Sequence, residues 1–273
     1  MKFRTLLVVN KVVVFAKLLS VLQKVEKTAF LILCSEADEE IRLVTKADAF
    51  NGLYTSALLR KSEFFEDYRI ESKYHNLIGL EFQLSAFEDA IRASSNAAGV
   101  IMKLSKKEQA CISFHIQTLT SNIIQDVPVR VITPTQIEEL AEPNLPPCSG
   151  VVLSPLQKIA ILIEKFRHVS QSIQLTLQST QAAELHIKCH SETLEVETCI
   201  KGLKIVTLNS EESSSEIEQS TSASVDGRHL SKAMFAAYLI PQRAFCFILS
   251  NLVLLHIELS GVDISYYLPV IIQ

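Results

Sequence analysis

The first thirty-three residues, MKFRTLLVVNKVVVFAKLLSVLQKVEKTAFLIL, carry two different hydrophobic periods. Val14, Leu18, Val21, Leu22 and Val25 recur at the spacing of one helical face, while Lys17, Ser20, Gln23, Lys24 and Lys27 fall on the other. On either side, Lys2 to Val9 and Thr28 to Cys34 read as strands, the second ending in the turn-prone SEADEE. Lys11 and Lys17 break the apolar run, so it lacks both the continuous core of a secretory signal and the roughly 18 apolar residues of a spanning helix. The pattern predicts an amphipathic helix between two strands.

Beyond this point short apolar runs of strand length dominate: EEIRLVT, GLYTSALL, YRIES, NLIGLEFQL, GVIMKLS, ACISFHIQTL and VPVRVIT. Helical periodicity returns over Ser85 to Ser95, Leu156 to Val169 and Leu230 to Leu239. The proline-rich stretch TPTQIEELAEPNLPPCSG near the midpoint reads as a surface connector in extended form. It divides the chain into residues 1–131, a connector 132–150, and residues 151–273. The acidic, serine-rich segment from 209 to 224 has no periodicity and is expected to be a disordered loop, with Ser213 before Glu216 a candidate phosphorylation position.

The two halves repeat one another. KLLSVLQKVEKT aligns with KIAILIEKFRHV so that Lys17 and Lys24 match Lys158 and Lys165, an offset of 141. LSAFEDAIRAS aligns with LSKAMFAAYLI from Leu230, an offset of 146. Each half keeps the order strand, helix, strands. The fold class that follows is α+β by tandem duplication, each unit with two helices against a mainly antiparallel sheet.

Charge and composition narrow the chemistry. With a net charge of -4 the whole chain is no magnet for nucleic acid, so any such role requires local clustering. Residues seven apart on a helix lie about 700° apart, nearly two full turns, so Lys17 stacks over Lys24 and Lys158 over Lys165. Lys27 extends the first stripe, Arg167 and His168 the second, and Arg228, Lys232 and Arg243 flank the fourth helix. Such stripes suit a polyanion backbone, contacted without sequence preference. Lysines are also what solvent-facing helix positions ordinarily hold. A hydrophobic content of 48% suggests that some apolar surface is covered by partner chains, although a strand-rich core also raises the figure.

Catalytic and cofactor signals are weak. No GxGxxG, GxxxxGK[ST] or GxSxG occurs, and the six cysteines form no CxxC pair, which suits a reducing compartment. Cys111 and His115 share a strand face without further nucleophile context. In LHIKCHSETLEVETC, His186 and His190 share one strand face and Cys189 takes the other, so these residues and Cys199 are not expected to converge on a metal. No catalytic residue, metal or cofactor is expected.

Five segments in order, MKFR, VLQKVEKT, QDVPVRVITP, IEKF and ISYYLPVI, resemble the Hus (Hus-one) subunit of the checkpoint sliding clamp, the ring of three different chains often called the nine-one-one complex. The resemblance runs over nearly the whole chain and is weakest in the acidic loop and the middle of each half. It implies two PCNA-like sliding-clamp domains whose helices line a hole around double-stranded DNA and whose sheets form the outer wall. Lys17, Lys24, Lys158, Lys165 and Arg167 then become DNA-facing, with Lys27, Arg92 and Lys232 as further members. Ala160 and Ile161 depart from the more polar pattern expected of the third helix. By the same resemblance neighbours pair through edge strands, placed here at Cys111 to Thr118 (Cys111, Ser113, His115, Gln117) and Val196 to Leu203 (Val196, Thr198, Ile200). The implied partners are two other clamp subunits, an ATP-dependent clamp loader and DNA repair enzymes. No membrane is implied, and the implied location is the nucleus with a cytoplasmic pool. Two alternatives stay open: a homotrimeric replicative clamp, and a secreted or membrane-attached binding protein resting on the N-terminal run.

Overall fold

The computed structural model describes residues 1–35, 38–47, 52–179, 183–208 and 220–271. The chain forms two compact units, Met1–Lys46 with Ser56–Glu142, and Ala47–Thr55 with Pro143–Gln273.

In the first unit, β1 (Lys2–Leu7) leads into α1 (Val12–Val25), β2 (Thr28–Leu33), β3 (Glu40–Lys46), β4 (Tyr54–Arg60) and a single helical turn, α2 (Lys61–Phe64). There follow β5 (Phe65–Glu71), β6 (Ile78–Gln83), α3 (Leu84–Ala93), β7 (Gly99–Lys106), β8 (Ala110–Gln117), β9 (Asn122–Ile132) and α4 (Pro134–Glu138). Strand neighbours run β4-β3-β2-β6-β9-β8-β7-β1-β5. β1 is paired on both sides, with Phe3 opposite Ile70 of β5 and Thr5 opposite Met102 of β7. α1 and α3 pack on one another. Beneath them Phe15 meets Phe64, Phe65 and Phe87 edge-on at 6.0, 6.3 and 6.0 Å, the T-shaped geometry that aromatic quadrupoles favour. The buried face of α1 is Val12, Phe15, Leu18, Leu19, Val21, Leu22 and Val25, so Val14 sits at its margin instead of within it.

The connector is not extended at its start. Thr133 caps α4 with a reciprocal pair, Gln136 N–H to Thr133 Oγ1 at 3.4 Å and Thr133 N–H to Gln136 Oε1 at 3.0 Å. Pro134 at the first helical position loses nothing there, because that N–H has no intrahelical acceptor.

The second unit contains β10 (Cys148–Val152), α5 (Leu156–Phe166), β11 (Ser172–Ser179), β12 (Ala183–His190), β13 (Glu195–Leu203) and β14 (Ile205–Leu208). It continues with β15 (Ser220–Asp226), α6 (Gly227–Met234), a 3-10 turn (Phe235–Leu239), β16 (Arg243–Ile248), β17 (Leu252–Leu259) and β18 (Val262–Pro269). One four-stranded sheet runs β13-β12-β11-β15, and a second series runs β14-β10-β16-β17-β18. α5 packs on α6. Residues 209–219 of the expected loop, with Ser213, lie outside the described residues. The remainder of that segment is strand, with Ser220, Thr221, Ser222, Ala223 and Ser224 in register with β11. Thr221 and Ala223 place small side chains toward a covered face, which polar composition alone conceals.

The internal repeat is visible in burial. Phe15, Leu18, Leu22 and Val25 of α1 correspond to Leu156, Ile159, Ile163 and Phe166 of α5, all buried and 141 residues apart. For the second helices the N-caps Gln83 and Asp226 set an offset of 143, not 146. A shift of three residues turns a helix by about 300°, close to a full turn, so apolar spacing does not separate the two alignments.

Candidate nucleic-acid interface

Each helix pair has one face on its sheet and one face in solvent. On α1 the solvent face carries Lys17 and Lys24, two turns apart and both exposed, with Lys27 just past the helix end. On α5 Lys158 and Lys165 occupy the matching positions and are likewise exposed. Among the described residues these five lysines have no acidic partner, so their charge is available to an incoming anion.

The arginines differ. The Arg92 guanidinium pairs with Glu88 one turn back on α3 and reaches Ser20 Oγ on α1 at 3.4 Å, while Ser20 donates to Glu88 Oε1 at 2.5 Å. In the second unit Arg167 grips Glu164 with two nitrogens, Nε to Oε2 at 2.6 Å, and Ser231 of α6 donates to the same Oε2 at 2.6 Å. Arg167 and Ser231 together hold the Glu164 carboxyl at about 2, against an ordinary 4.5. These two arginines therefore brace the helix pairs, and much of their charge is already neutralised. Lys232 is half-buried on α6.

The two solvent faces also differ in polarity. A shallow groove of about 220 Å³ on the first pair is lined by Val12, Val13, Ala16, Lys17, Ser20 and Arg92. Its counterpart on the second is about 410 Å³, with Ala160, Ile161, Met234, Phe235 and Tyr238 beside Lys165. Ile161, 59% exposed, lies between the two lysines of α5. The departure noted in the sequence thus falls on the solvent face.

Of the two expected edge strands, one is an edge. Among the described residues β13 pairs only with β12, and its Val196, Thr198 and Ile200 stand opposite Cys189, Ile187 and Leu185. The β12 members are buried, whereas the β13 members are half-exposed, so the apolar face thins out toward this rim. β8 is not an edge: it is paired along its length with β7 and β9, and Cys111 and Ser113 are buried. His115 is half-buried and Gln117 exposed on the same strand. The open rim belongs to β9, whose Val129–Ile132 pairs with β6 while Asn122–Asp126 has β8 on one side and no further partner among the described residues. Ile123 and Ile124 are 43% and 59% exposed there. Alternating apolar spacing shows which way a side chain points but not how many neighbours a strand has, and the run NIIQD after the turn at Ser121 was the signal for this rim.

Among the described residues no helix is long and apolar enough to cross a membrane.

A family model described as Hus1-like protein matches residues 1–272. The chain is 25% identical over 267 residues to the human protein named checkpoint protein HUS1, covering 93% of this chain and 94% of that one. It is 23% identical over 262 residues to a checkpoint protein hus1 homolog from Dictyostelium discoideum, covering 94% and 95%. It is 27% identical over 211 residues to checkpoint protein hus1 of Schizosaccharomyces pombe, covering 75% and 71%. Among solved structures, proliferating cellular nuclear antigen of Entamoeba histolytica superposes with a TM-score of 0.73 at 14% identity over 99% of both chains. PCNA from Thermococcus kodakaraensis gives 0.72 at 15%, over 98% of this chain and all of that one. The fold is that of the sliding clamps.

Proposed function

The chain belongs to the Hus1-like protein family, and on that premise we propose that it is a subunit of a checkpoint clamp built from three different chains. The match over residues 1–272, with relatives named as checkpoint proteins along nearly their full lengths, carries this reading and sets it apart from a homotrimeric replicative clamp. The chain acts as a scaffold without catalysis of its own. Each helix pair holds duplex DNA through its unpaired lysines, by contacts to phosphates that leave base edges unread and let the clamp move along the duplex. The rims at Asn122–Asp126 and at β13, each with exposed or half-exposed apolar side chains, are where neighbouring subunits add their strands. An ATP-dependent loader places the clamp on DNA in the nucleus, and repair enzymes and checkpoint-kinase activators dock on it; a cytoplasmic pool supplies it.

Light scattering on the purified chain, alone and mixed with the two other clamp subunits, tests the assembly. A monomer that becomes a one-to-one-to-one trimer is the expected result. A ring formed by this chain alone, or a chain monomeric in every mixture, overturns the proposal.

A further inference from the structure

The outer face of the β13-β12-β11-β15 sheet carries a side-chain cluster with no part in the function above. β12 contributes Glu184 and His186 and β13 contributes Cys199, with His186 directly opposite Cys199 across the strand pair. Cys199 Sγ lies 3.3 Å from Glu184 Oε2 and 3.5 Å from His186 Nε2, and Nε2 lies 3.6 Å from the same Oε2. The expectation that no metal ligands would meet here considered one strand at a time. Along β12, Cys189 is buried on the opposite face and His190 is exposed. Convergence arises across the ladder, from a partner thirteen residues away, with Glu184 as the third member.

We propose that Glu184, His186 and Cys199 form a zinc site, with Glu184 Oε2, His186 Nε2 and Cys199 Sγ as ligands and a fourth position open to water. The spacing fits the ion. Tetrahedral zinc, with bonds of about 2.0–2.3 Å to nitrogen, oxygen and sulfur, sets its ligand atoms about 3.3–3.6 Å apart. The three separations found here match that triangle. The ligand set, one thiolate, one imidazole and one carboxylate, is of the borderline softness that zinc accepts.

The remaining atoms of these side chains are occupied in a way that leaves the ligand atoms available. His186 Nδ1 is 2.7 Å from Glu197 Oε1, the carboxylate–imidazole pairing that fixes a metal-binding histidine with Nε2 free. Glu184 Oε1 lies 3.4 Å from Lys201 Nζ, which turns Oε2 toward the cluster. The His186 and Glu184 side chains are only 20% and 23% exposed, so the pocket is held by its neighbours yet open on the solvent side. On binding, the Cys199 thiol gives its proton to solvent and sulfur takes the metal; no electron is transferred. The ion links the edge strand β13 to β12 and fixes their register.

The test uses the full chain, stripped with a mild chelator and then dialysed against zinc chloride, with cobalt(II) as a visible probe. One zinc per chain is expected, and cobalt should give thiolate charge-transfer and tetrahedral ligand-field bands. Cys199→Ser and His186→Ala should abolish these bands. Glu184→Gln and Glu197→Gln should weaken binding about 10–100-fold. His190→Ala should bind as the parent does. Zinc should raise the unfolding temperature of the parent and leave that of Cys199→Ser unchanged, which separates lost binding from lost folding. Zinc retention by Cys199→Ser equal to that of the parent, or no retention by the parent, overturns the assignment.

Discussion

Ser231 on α6 donates a 2.6 Å hydrogen bond to Glu164 on α5, and the same device joins Ser20 on α1 to Glu88 on α3 with hydroxyl and carboxylate exchanged between the helices. Ser231 and Glu88 occupy equivalent positions under the offset of 143 that the helix caps set. Each helix pair thus has a hydroxyl–carboxylate link, but the exchange is not position for position: under the offset of 141 Glu164 matches Gln23, about one turn past Ser20. In both units an arginine one turn along closes the link, which draws Arg92 and Arg167 away from the solvent-facing stripe.

Glu164 therefore stabilises the second unit in a pH-dependent manner. Its folded pKa, about 2, is depressed from 4.5, so its contribution is complete above pH 4.5 and is lost as pH falls through about 2. Because the Glu164 side chain is 44% exposed, solvent screening keeps the link small, on the order of 1 kcal/mol. Urea unfolding of Glu164→Gln and of the parent should differ at pH 7, converge between pH 4.5 and 2, and coincide below. A constant difference across that range would refute the link.

Binding of DNA to the assembled trimer should separate the unpaired cations from the braced ones. Replacing Lys17, Lys24, Lys158 and Lys165 together with Ala should weaken binding equally for every duplex sequence and reduce the salt slope by about 0.9 for each phosphate that the clamp no longer neutralises. Each substitution is at an exposed helix position and should change stability by no more than about 0.5 kcal/mol. Arg167→Ala should cost less affinity than Lys165→Ala, because its guanidinium already binds Glu164. Unaltered affinity of the four-lysine variant would remove the interface.

Much of this was readable in the residues. The helical period of α1 and the correspondence of Lys17 with Lys158 in the repeat follow from spacing, because burial of one face imposes that spacing directly; the edge position of β13 follows from the family resemblance, not from spacing. Three features were hidden because they depend on which strands or helices become neighbours. The rim on β9 instead of β8 is a matter of strand order, which alternation does not encode. The Arg167–Glu164 and Arg92–Glu88 pairs sit at ordinary helical spacings, yet the serines that complete them come from 67 and 68 residues away. Cys199 meets His186 only once the β12–β13 register is known.

Thiol reactivity should follow burial. Cys246 on β16 is 1% exposed and its thiol is pushed up to about 12 by the loss of water around it, so almost no thiolate exists at neutral pH. Cys111 and Cys189 are also buried, while Cys34, Cys148 and Cys199 are partly exposed. Brief alkylation of the metal-free chain at pH 8 followed by peptide mass mapping should label Cys34, Cys148 and Cys199 and leave Cys246 unmodified until urea unfolds the second unit. Early labelling of Cys246 would place β16 at a surface and contradict its pairing with β10 and β17.

Phe15 is the residue whose loss should reach furthest in the first unit. It is fully buried on α1, and its ring meets Phe64 of α2, Phe65 of β5 and Phe87 of α3, so it joins both long helices to the sheet. Truncation to Ala removes those edge-on ring pairs and leaves a cavity that three aromatic neighbours cannot readily fill, at a cost of about 3–5 kcal/mol. Phe15→Leu keeps most of the volume and should cost markedly less. The second unit has its own core around Phe245, Phe247, Leu254 and Tyr267, so the loss should be local to the first. Hydrogen exchange of the Phe15→Ala chain should accelerate in β1, β7 and β8 while β16 and β17 keep the parent's protection; equal acceleration in both units would mean that they do not hold their cores independently.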